Sequence, residues 1–411
     1  MLIVQKYGGT SVADAERVMQ AAKRVTETFL NGHKVVVVLS AQGDATNELL
    51  RKAAEINPEA SKREVDALIS TGEQQSVALM AIAIHKLGFP AISLNAIQAG
   101  VQSSSKYGNA RIRRIETERI QSELERNNIV VVTGFQGVNR YGDLSTLGRG
   151  ASDTTAVALA AVLGADICEI YTDVDGIYTA DPRMVKNARK LETISYDEML
   201  ELSSLGARVL HNRSVEMAKR YHVKLVVRSS MTDNPGTLVK EEAVVEKLYV
   251  SGLAVDRDVA RVSVVGIMDR PGMAYQIFSL LAKEKISVDI ILQSIGRNTT
   301  KDISFTVAKG DLRQTLKILE DNRDIIGYDM ISYDEKIAKL SIVGAGMASN
   351  PGVASTMFEA LFDCGVNIQM ISTSEIKISV LIDESVADKA ANYVHEKFIN
   401  NIMPEAGGGV K

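Results

Sequence analysis

Over its first 230 residues the chain alternates short β-branched runs with longer amphipathic stretches, and few folds accept that pattern. Leu2–Val4, Val35–Leu39 and Ile129–Thr133 are compact runs rich in Val and Ile, as strands buried on both faces require. Asp166–Thr172 and Val223–Val227 read as further strands. Between them, Ala13–Leu30, Val65–Leu87, Ile112–Arg126, Thr154–Leu163 and Val215–Arg220 have the spacing of helices. Strand and helix in alternation predict an α/β sandwich with a mainly parallel sheet. Functional loops then gather at the carboxyl ends of the strands.

The pattern breaks at Ser229–Glu246, where a Pro-Gly turn and a charged run mark a boundary. Past it the chain repeats itself. Ser263-Val-Val-Gly266 returns as Ser341-Ile-Val-Gly344, Pro271-Gly272 as Pro351-Gly352, and Phe278 as Phe358. The run Ile286–Ile291 returns as Val366–Ile371, each copy reading as a strand. Two copies of a small β-α-β unit suggest a paired module that binds a small ligand or serves only to dimerise. Within the second copy, Val343-Gly344-Ala345-Gly346 resembles a dinucleotide fingerprint, but it lacks the third glycine and the length of chain such a fold needs.

Composition excludes several classes. The 411 residues carry 47 basic and 51 acidic side chains, a net charge of −4, which argues against a general nucleic-acid binder. No run approaches the 18 or so apolar residues of a membrane span. The start, MLIVQKYGGT, lacks the charged lead and long apolar stretch of a signal peptide. Cys168 and Cys364 are far apart, and the five histidines show no metal-ligand spacing. The expectation is a soluble, reduced, cytoplasmic protein that binds neither membrane nor nucleic acid.

Four motifs carry chemistry. In Lys6-Tyr7-Gly8-Gly9-Thr10-Ser11 a strand ends in lysine, and two glycines lead into a helix. Glycine lets the backbone approach a ligand, and a helix start offers free N–H groups to phosphate. The same residues also suit an ordinary turn capped by Thr10 or Ser11. In Thr146-Leu-Gly148-Arg149-Gly150-Ala151-Ser152-Asp153, Ser152 and Asp153 suit a helix cap, and Arg149 suits a bidentate grip on a carboxylate. Asp153 is placed to orient Lys6 or a phosphate-bound Mg²⁺. In Tyr171-Thr172-Asp173-Val-Asp175-Gly-Ile-Tyr178-Thr-Ala-Asp181-Pro-Arg183 a strand end opens into a polar loop, a seat for a nucleotide or a plain pair of turns. Ser70-Thr71-Gly72-Glu73 has the form of a capping box, with Glu73 otherwise able to meet a substrate ammonium. The mixed charges of Arg111–Arg126 read as a solvated helix.

In this order, VQKYGGTSV, STGE, TLGRGASDTTAVALA and YTDVDGIYTADPR resemble the aspartokinases of the amino-acid kinase family, and the repeat resembles their tandem ACT domains. The resemblance implies an α/β/α sandwich followed by two ferredoxin-like (βαββαβ) ACT domains. The expected division is residues 1–230 catalytic, 231–250 linker, 251–335 and 336–403 the two ACT domains, and 404–411 a tail. It implies transfer of phosphoryl from ATP with Mg²⁺ to the β-carboxylate of L-aspartate. Lys6 then contacts the transferring group, with Tyr7, Gly8, Gly9 and Ser40 along the phosphates. Thr46, Glu73, Arg149 and Ser152 surround aspartate, with Glu73 on its amino group and Arg149 on its α-carboxylate. Asp153 organises Lys6, and Thr172, Asp173, Tyr178, Asp181 and Arg183 hold the nucleotide. Where the family commonly has two glycines after the arginine, this chain has Gly150-Ala151.

The ACT resemblance implies inhibition by lysine, threonine or both, at Asp269, Ala274, Gln293, Asn367 and Ile368, and a homo-oligomer formed through the ACT domains. A short ACT-only subunit is a further implication, although no methionine lies between Met231 and Met268 to start one. The competing readings are another amino-acid kinase and an amino-acid sensor with an inactive kinase domain.

Overall fold

The computed structural model describes residues 1–148, 150–205, 209–241, 250–294, 300–347, 350 and 352–400. They fall into two compact units. The first holds Met1–Tyr178, Lys190–Ser204 and the described part of 208–245; the second holds Thr179–Arg189, Leu205 and the described part of 246–411.

In the first unit the strands are β1 (Leu2–Tyr7), β2 (Lys34–Leu39), β3 (Ala91–Leu94), β4 (Val101–Ser103), β5 (Ile112–Ile115), β6 (Ile129–Thr133), β7 (Gln136–Val138), β8 (Leu144–Thr146), β9 (Ile167–Thr172), β10 (Thr193–Ser195), β11 (Leu225–Ser229) and β12 (Thr237–Lys240). The helices are α1 (Ala15–Leu30), α2 (Ala45–Ile56), α3 (Lys62–Lys86), α4 (Glu118–Glu125), α5 (Ala151–Leu163), α6 (Tyr196–Ser204) and α7 (Asn212–Tyr221). The main sheet runs β10-β12-β11-β9-β1-β2-β6-β3, parallel from β11 through β3, as the alternation predicts. A smaller sheet, β5-β4-β7-β8, stands apart from it.

Strand periodicity sorts the residues of β1. Tyr7 joins Val35, Val37 and Leu39 in an apolar layer with α1 and α3. Lys6 points the other way, toward α5. That helix is buried over Ala151–Ala160; past its polar first turn (Ser152–Thr155) it is apolar all round, as a helix covering a sheet centre must be.

Two local expectations fail. Ile112–Arg126 is not one helix: Ile112–Ile115 pairs with β4, and helix begins only at Glu118. Within α4 the mixed charges do pair at helical spacing, Arg119 to Glu123 at 2.9 Å. Nor is Ser70 a cap. It lies inside the 25-residue α3, whose cap is Ser61, accepting the Glu64 amide at 3.4 Å. Ser-x-x-Glu spacing also arises mid-helix, and here Gly72 explains it. A Cβ on Gly72 would sit 2.8 Å from that of Ala41, so glycine lets α3 lie against the loop after β2.

The second unit contains β13 (Gly252–Asp256), β14 (Ala260–Met268), α8 (Met273–Lys283), β15 (Ile291–Gln293), β16 (Thr300–Val307), α9 (Leu312–Asp321), α10 (Arg323–Ile326), β17 (Met330–Asp334), β18 (Ile337–Val343), α11 (Val353–Asp363), β19 (Met370–Thr373), β20 (Lys377–Asp383) and α12 (Ala387–His395). The sheets β15-β16-β14-β17 and β13-β18-β20-β19 are both ferredoxin-like. The second takes its fourth strand, β13, from the chain ahead of the first. The runs expected as strands at Ile286–Ile291 and Val366–Ile371 pair only from Ile291 and Met370 onward, because Ile286, Ile290 and Val366 turn into the cores.

Overpacking at Gly72 gives a test of how α3 is seated. Gly72→Val is expected to lower stability by about 2–3 kcal/mol, read from the urea midpoint.

Candidate active site

Three loops converge at the carboxyl ends of β1, β2 and β6. Gly8 is extended, and its amide donates to the Tyr171 carbonyl at 3.2 Å. A Cβ on Gly9 would meet the Ala41 carbonyl oxygen at 2.6 Å, so only glycine allows this approach. The Ser40 amide donates to the Tyr7 carbonyl at 3.2 Å, and that of Gly43 to the Gly9 carbonyl at 3.0 Å. A Cβ on Gly134 would strike Ser152 Oγ at 2.6 Å, so the loop after β6 closes on the start of α5.

Lys6 Nζ lies 2.7 Å from Asp153 Oδ1, both side chains nearly covered. The other Asp153 oxygen accepts the His211 amide at 3.4 Å. Gly148 and Gly150 take the positive φ values, 93° and 72°. Ala151 is then the first helical residue and its methyl is buried, so the departure from two glycines costs no strain. Arg149 lies outside the described residues.

Glu73 is buried on α3. Its Oε1 accepts the Ala41 amide at 3.2 Å, and its Oε2 has no partner. Burial pushes its carboxyl up to about 7. Ser11 Oγ, Thr133 Oγ1, Gln136 Oε1 and Thr154 Oγ1 are likewise buried without hydrogen-bond partners. Buried polar groups are normally paired. A cluster of unpaired ones at strand ends is ready for the polar groups of a ligand. Thr46 lies half-buried in the first turn of α2. Tyr7 keeps its ring in the core, stacked on Tyr171 at 4.7 Å, and offers the site only its main chain.

A second polar group forms past β9. Thr172 Oγ1 donates to Asp173, and the Thr172 carbonyl accepts from the Ser230 amide at 2.8 Å. Tyr178 donates its hydroxyl to Asp175 at 2.7 Å, and Asn234 and Lys190 reach the other Asp175 oxygen. The Tyr178 hydrogen bond, with Asn234 and Lys190, holds the Asp175 carboxyl below its ordinary value. Asp181 and Arg183 belong to the second unit and pair with each other at 2.8 Å. In that unit Asp269 pairs with Lys301 at 2.8 Å, Ala274 and Gln293 are exposed, Asn367 is exposed, and Ile368 packs on the core.

Comparison with known proteins decides among the readings. Residues 1–229 match the amino acid kinase family, and residues 262–322 and 340–398 match the ACT domain. The chain is 52% identical over 398 residues to the aspartokinase of Geobacillus stearothermophilus, covering 97% of each chain. It is 49% identical over 403 residues to that of Corynebacterium glutamicum, covering 97% of this chain and 96% of the other. The crystal structure of E. coli aspartokinase III in complex with aspartate and ADP matches with a TM-score of 0.82 at 25% identity, over 97% of this chain and 99% of that one. The chain belongs to the aspartokinases.

Sequence reasoning passed over several residues of these two polar groups: Gln136 and His211 near Glu73 and Asp153, and Asp175, Lys190 and Asn234 past β9. Only Asp175 lay within a noticed motif, where its Asp-Gly step read as a turn.

Glu73 generates a test with a defined sign. Its folded pKa of about 7 stands above the ordinary 4.5, so the native state holds the extra proton between those values. Stability is therefore lost as pH rises through that window, by about 3 kcal/mol in all. Glu73→Gln is expected to raise the thermal midpoint near pH 8 relative to the parent. In the parent, KM for aspartate is expected to fall between about pH 6 and pH 8 as the carboxylate forms. Glu73→Gln flattens that dependence.

Proposed function

We propose that this aspartokinase transfers the γ-phosphoryl group of ATP to the β-carboxylate of L-aspartate, giving 4-phospho-L-aspartate and ADP. One carboxylate oxygen forms the new bond to phosphorus, and the bond to the β–γ bridging oxygen breaks with its electron pair staying on ADP. The observation that carries this reading is the Lys6–Asp153 pair set between the Gly8–Gly9 approach and the buried, half-satisfied Glu73.

A carboxylate nucleophile is already ionised at neutral pH, so no general base is needed. Phosphoryl transfer then rests on positioning and on offsetting charge. Lys6 meets the transferring oxygens, and Gly8, Gly9 and Ser40 line the phosphates with main-chain groups. Glu73 takes the amino group of aspartate, Arg149 its α-carboxylate, and Thr46 and Ser152 the space between. Thr172, Asp173 and Tyr178 hold the nucleoside end, with Asp181 and Arg183 assigned to it by resemblance alone. Among the described residues no group of three or more His, Cys, Asp or Glu is placed to hold a metal ion. Mg²⁺ carried in on the triphosphate would need only one or two protein carboxylates, of which Asp153 would supply one. It would neutralise phosphate charge.

The product is the entry to lysine, threonine, methionine and diaminopimelate. Lysine, threonine or both act as inhibitors at the ACT domains, around Asp269, Ala274, Gln293, Asn367 and Ile368, and the ACT domains join copies of the chain.

Hydroxylamine trapping of the acyl phosphate tests the proposal. Aspartyl hydroxamate is expected with ATP, Mg²⁺ and L-aspartate, falling when lysine or threonine is added. Lys6→Ala is expected to cut kcat by about 10²–10³. Activity unmoved by either amino acid would sink the effectors and leave the kinase standing.

A further inference from the structure

Asp66 and Arg213 are charged, lie outside every motif, and do not pair with each other. Asp66 is 1% exposed on α3. Its Oδ2 accepts the amides of Gly108 and Thr146, each at 2.8 Å, and its Oδ1 accepts the Thr146 hydroxyl at 2.7 Å. Arg213, in the first turn of α7, donates Nη1 to the Leu147 carbonyl at 2.6 Å and Nη2 to the Ala110 carbonyl at 3.3 Å. One side chain thus satisfies N–H groups and the other carbonyls of the same two loops, 108–110 and 146–147. The loops also bond to each other, Ala110 amide to Thr146 carbonyl at 2.8 Å.

The placement ties this clamp to the acceptor end of the site. Asp66 stands two turns before Glu73, on the same face of α3. Leu147 leads through Gly148 to Gly150, Ser152 and Asp153. On the far side of that turn, a Cβ on Gly150 would meet His211 at 2.8 Å, and the His211 amide holds Asp153. The start of α7 therefore grips the turn before and after residue 149.

We infer that Asp66 and Arg213 are positioning residues that set Thr146–Gly148 and the start of α5 against Glu73 and so fix recognition of the amino-acid acceptor, leaving the nucleotide end untouched. Neither touches substrate. A guanidinium bonded to two carbonyls in a fixed fork is not replaceable by lysine, whose ammonium reaches only one of them. The inference rests on the reading of Arg149 as the carboxylate ligand.

The experiment measures KM for aspartate, KM for ATP, kcat and thermal midpoint for Arg213→Ala, Arg213→Lys, Asp66→Asn, Arg149→Ala and the double variant Arg149→Ala/Arg213→Ala. Arg213→Ala and Asp66→Asn are expected to raise aspartate KM about 10–100-fold with ATP KM within about twofold. Arg213→Lys is expected to recover part of the loss. The double variant is expected to be no worse than Arg149→Ala alone, since both changes remove one interaction. Both KM values rising together, or losses that multiply in the double variant, would overturn the inference. If Arg213→Ala does not fold, the same split read in Arg213→Lys decides. Arg149→Ala with unchanged aspartate KM would instead overturn the reading of the site itself.

Discussion

The ion pair between Lys6 and Asp153 is the interaction around which the first unit is organised. A lysine on the central strand of a parallel sheet is tolerated under a buried helix only if a charge answers it, because an isolated buried charge is costly. Asp153, two residues into α5, gives that answer at 2.7 Å. The pair fixes where α5 begins, and so where Ser152 lies and which residues make the turn before it. It also leaves Lys6 beside a loop in which Gly9 lets the main chain pass close to the Ala41 carbonyl. A lysine balanced by a single carboxylate is not left as a lone buried cation, and keeps capacity for a further anion.

The sandwich was legible in sequence because its signal is periodic and local. The runs at Val35–Leu39 and Ile129–Thr133 are strands to within a residue, and the glycine-rich turns sit where the motifs put them. What escaped was tertiary. Ser70-Thr71-Gly72-Glu73 has the same spacing as a helix cap or as helix interior, and only the approach of Ala41 to Gly72 distinguishes them. Asp66 and Arg213 were invisible because their partners are mostly backbone groups far along the chain, 80 and 66 residues away at Thr146 and Leu147. A backbone partner leaves no residue-type signature at any spacing.

The repeat shows a different limit. Its two copies were readable from matching turns, yet β13 lies in the sheet of the second copy although it precedes the first. Strand exchange of this kind preserves every local pattern. The join is reinforced by Lys339, nearly buried on β18, which pairs with Asp289 of the first copy at 2.5 Å and with Asp256 of β13 at 3.4 Å. Removing either acid leaves a nearly buried ammonium short of a partner, so this lysine ties β13 and the first copy to β18.

The second unit also holds a piece of the kinase sequence. Ala180 and Val185 belong to its core with residues of α11 and α12. Thr179 Oγ1 lies 2.8 Å from His395 Nε2, and Asn392 donates to the Met184 carbonyl at 3.0 Å. Burial, aided by Arg189, lowers the His395 pKa, which keeps the imidazole neutral and suited to a hydroxyl partner. Tyr178, which donates its hydroxyl to Asp175, is the residue before Thr179 in the chain. The boundary between the two units therefore falls at a single peptide bond: Thr179 is hydrogen-bonded into the ACT core, and Tyr178 belongs to the first unit.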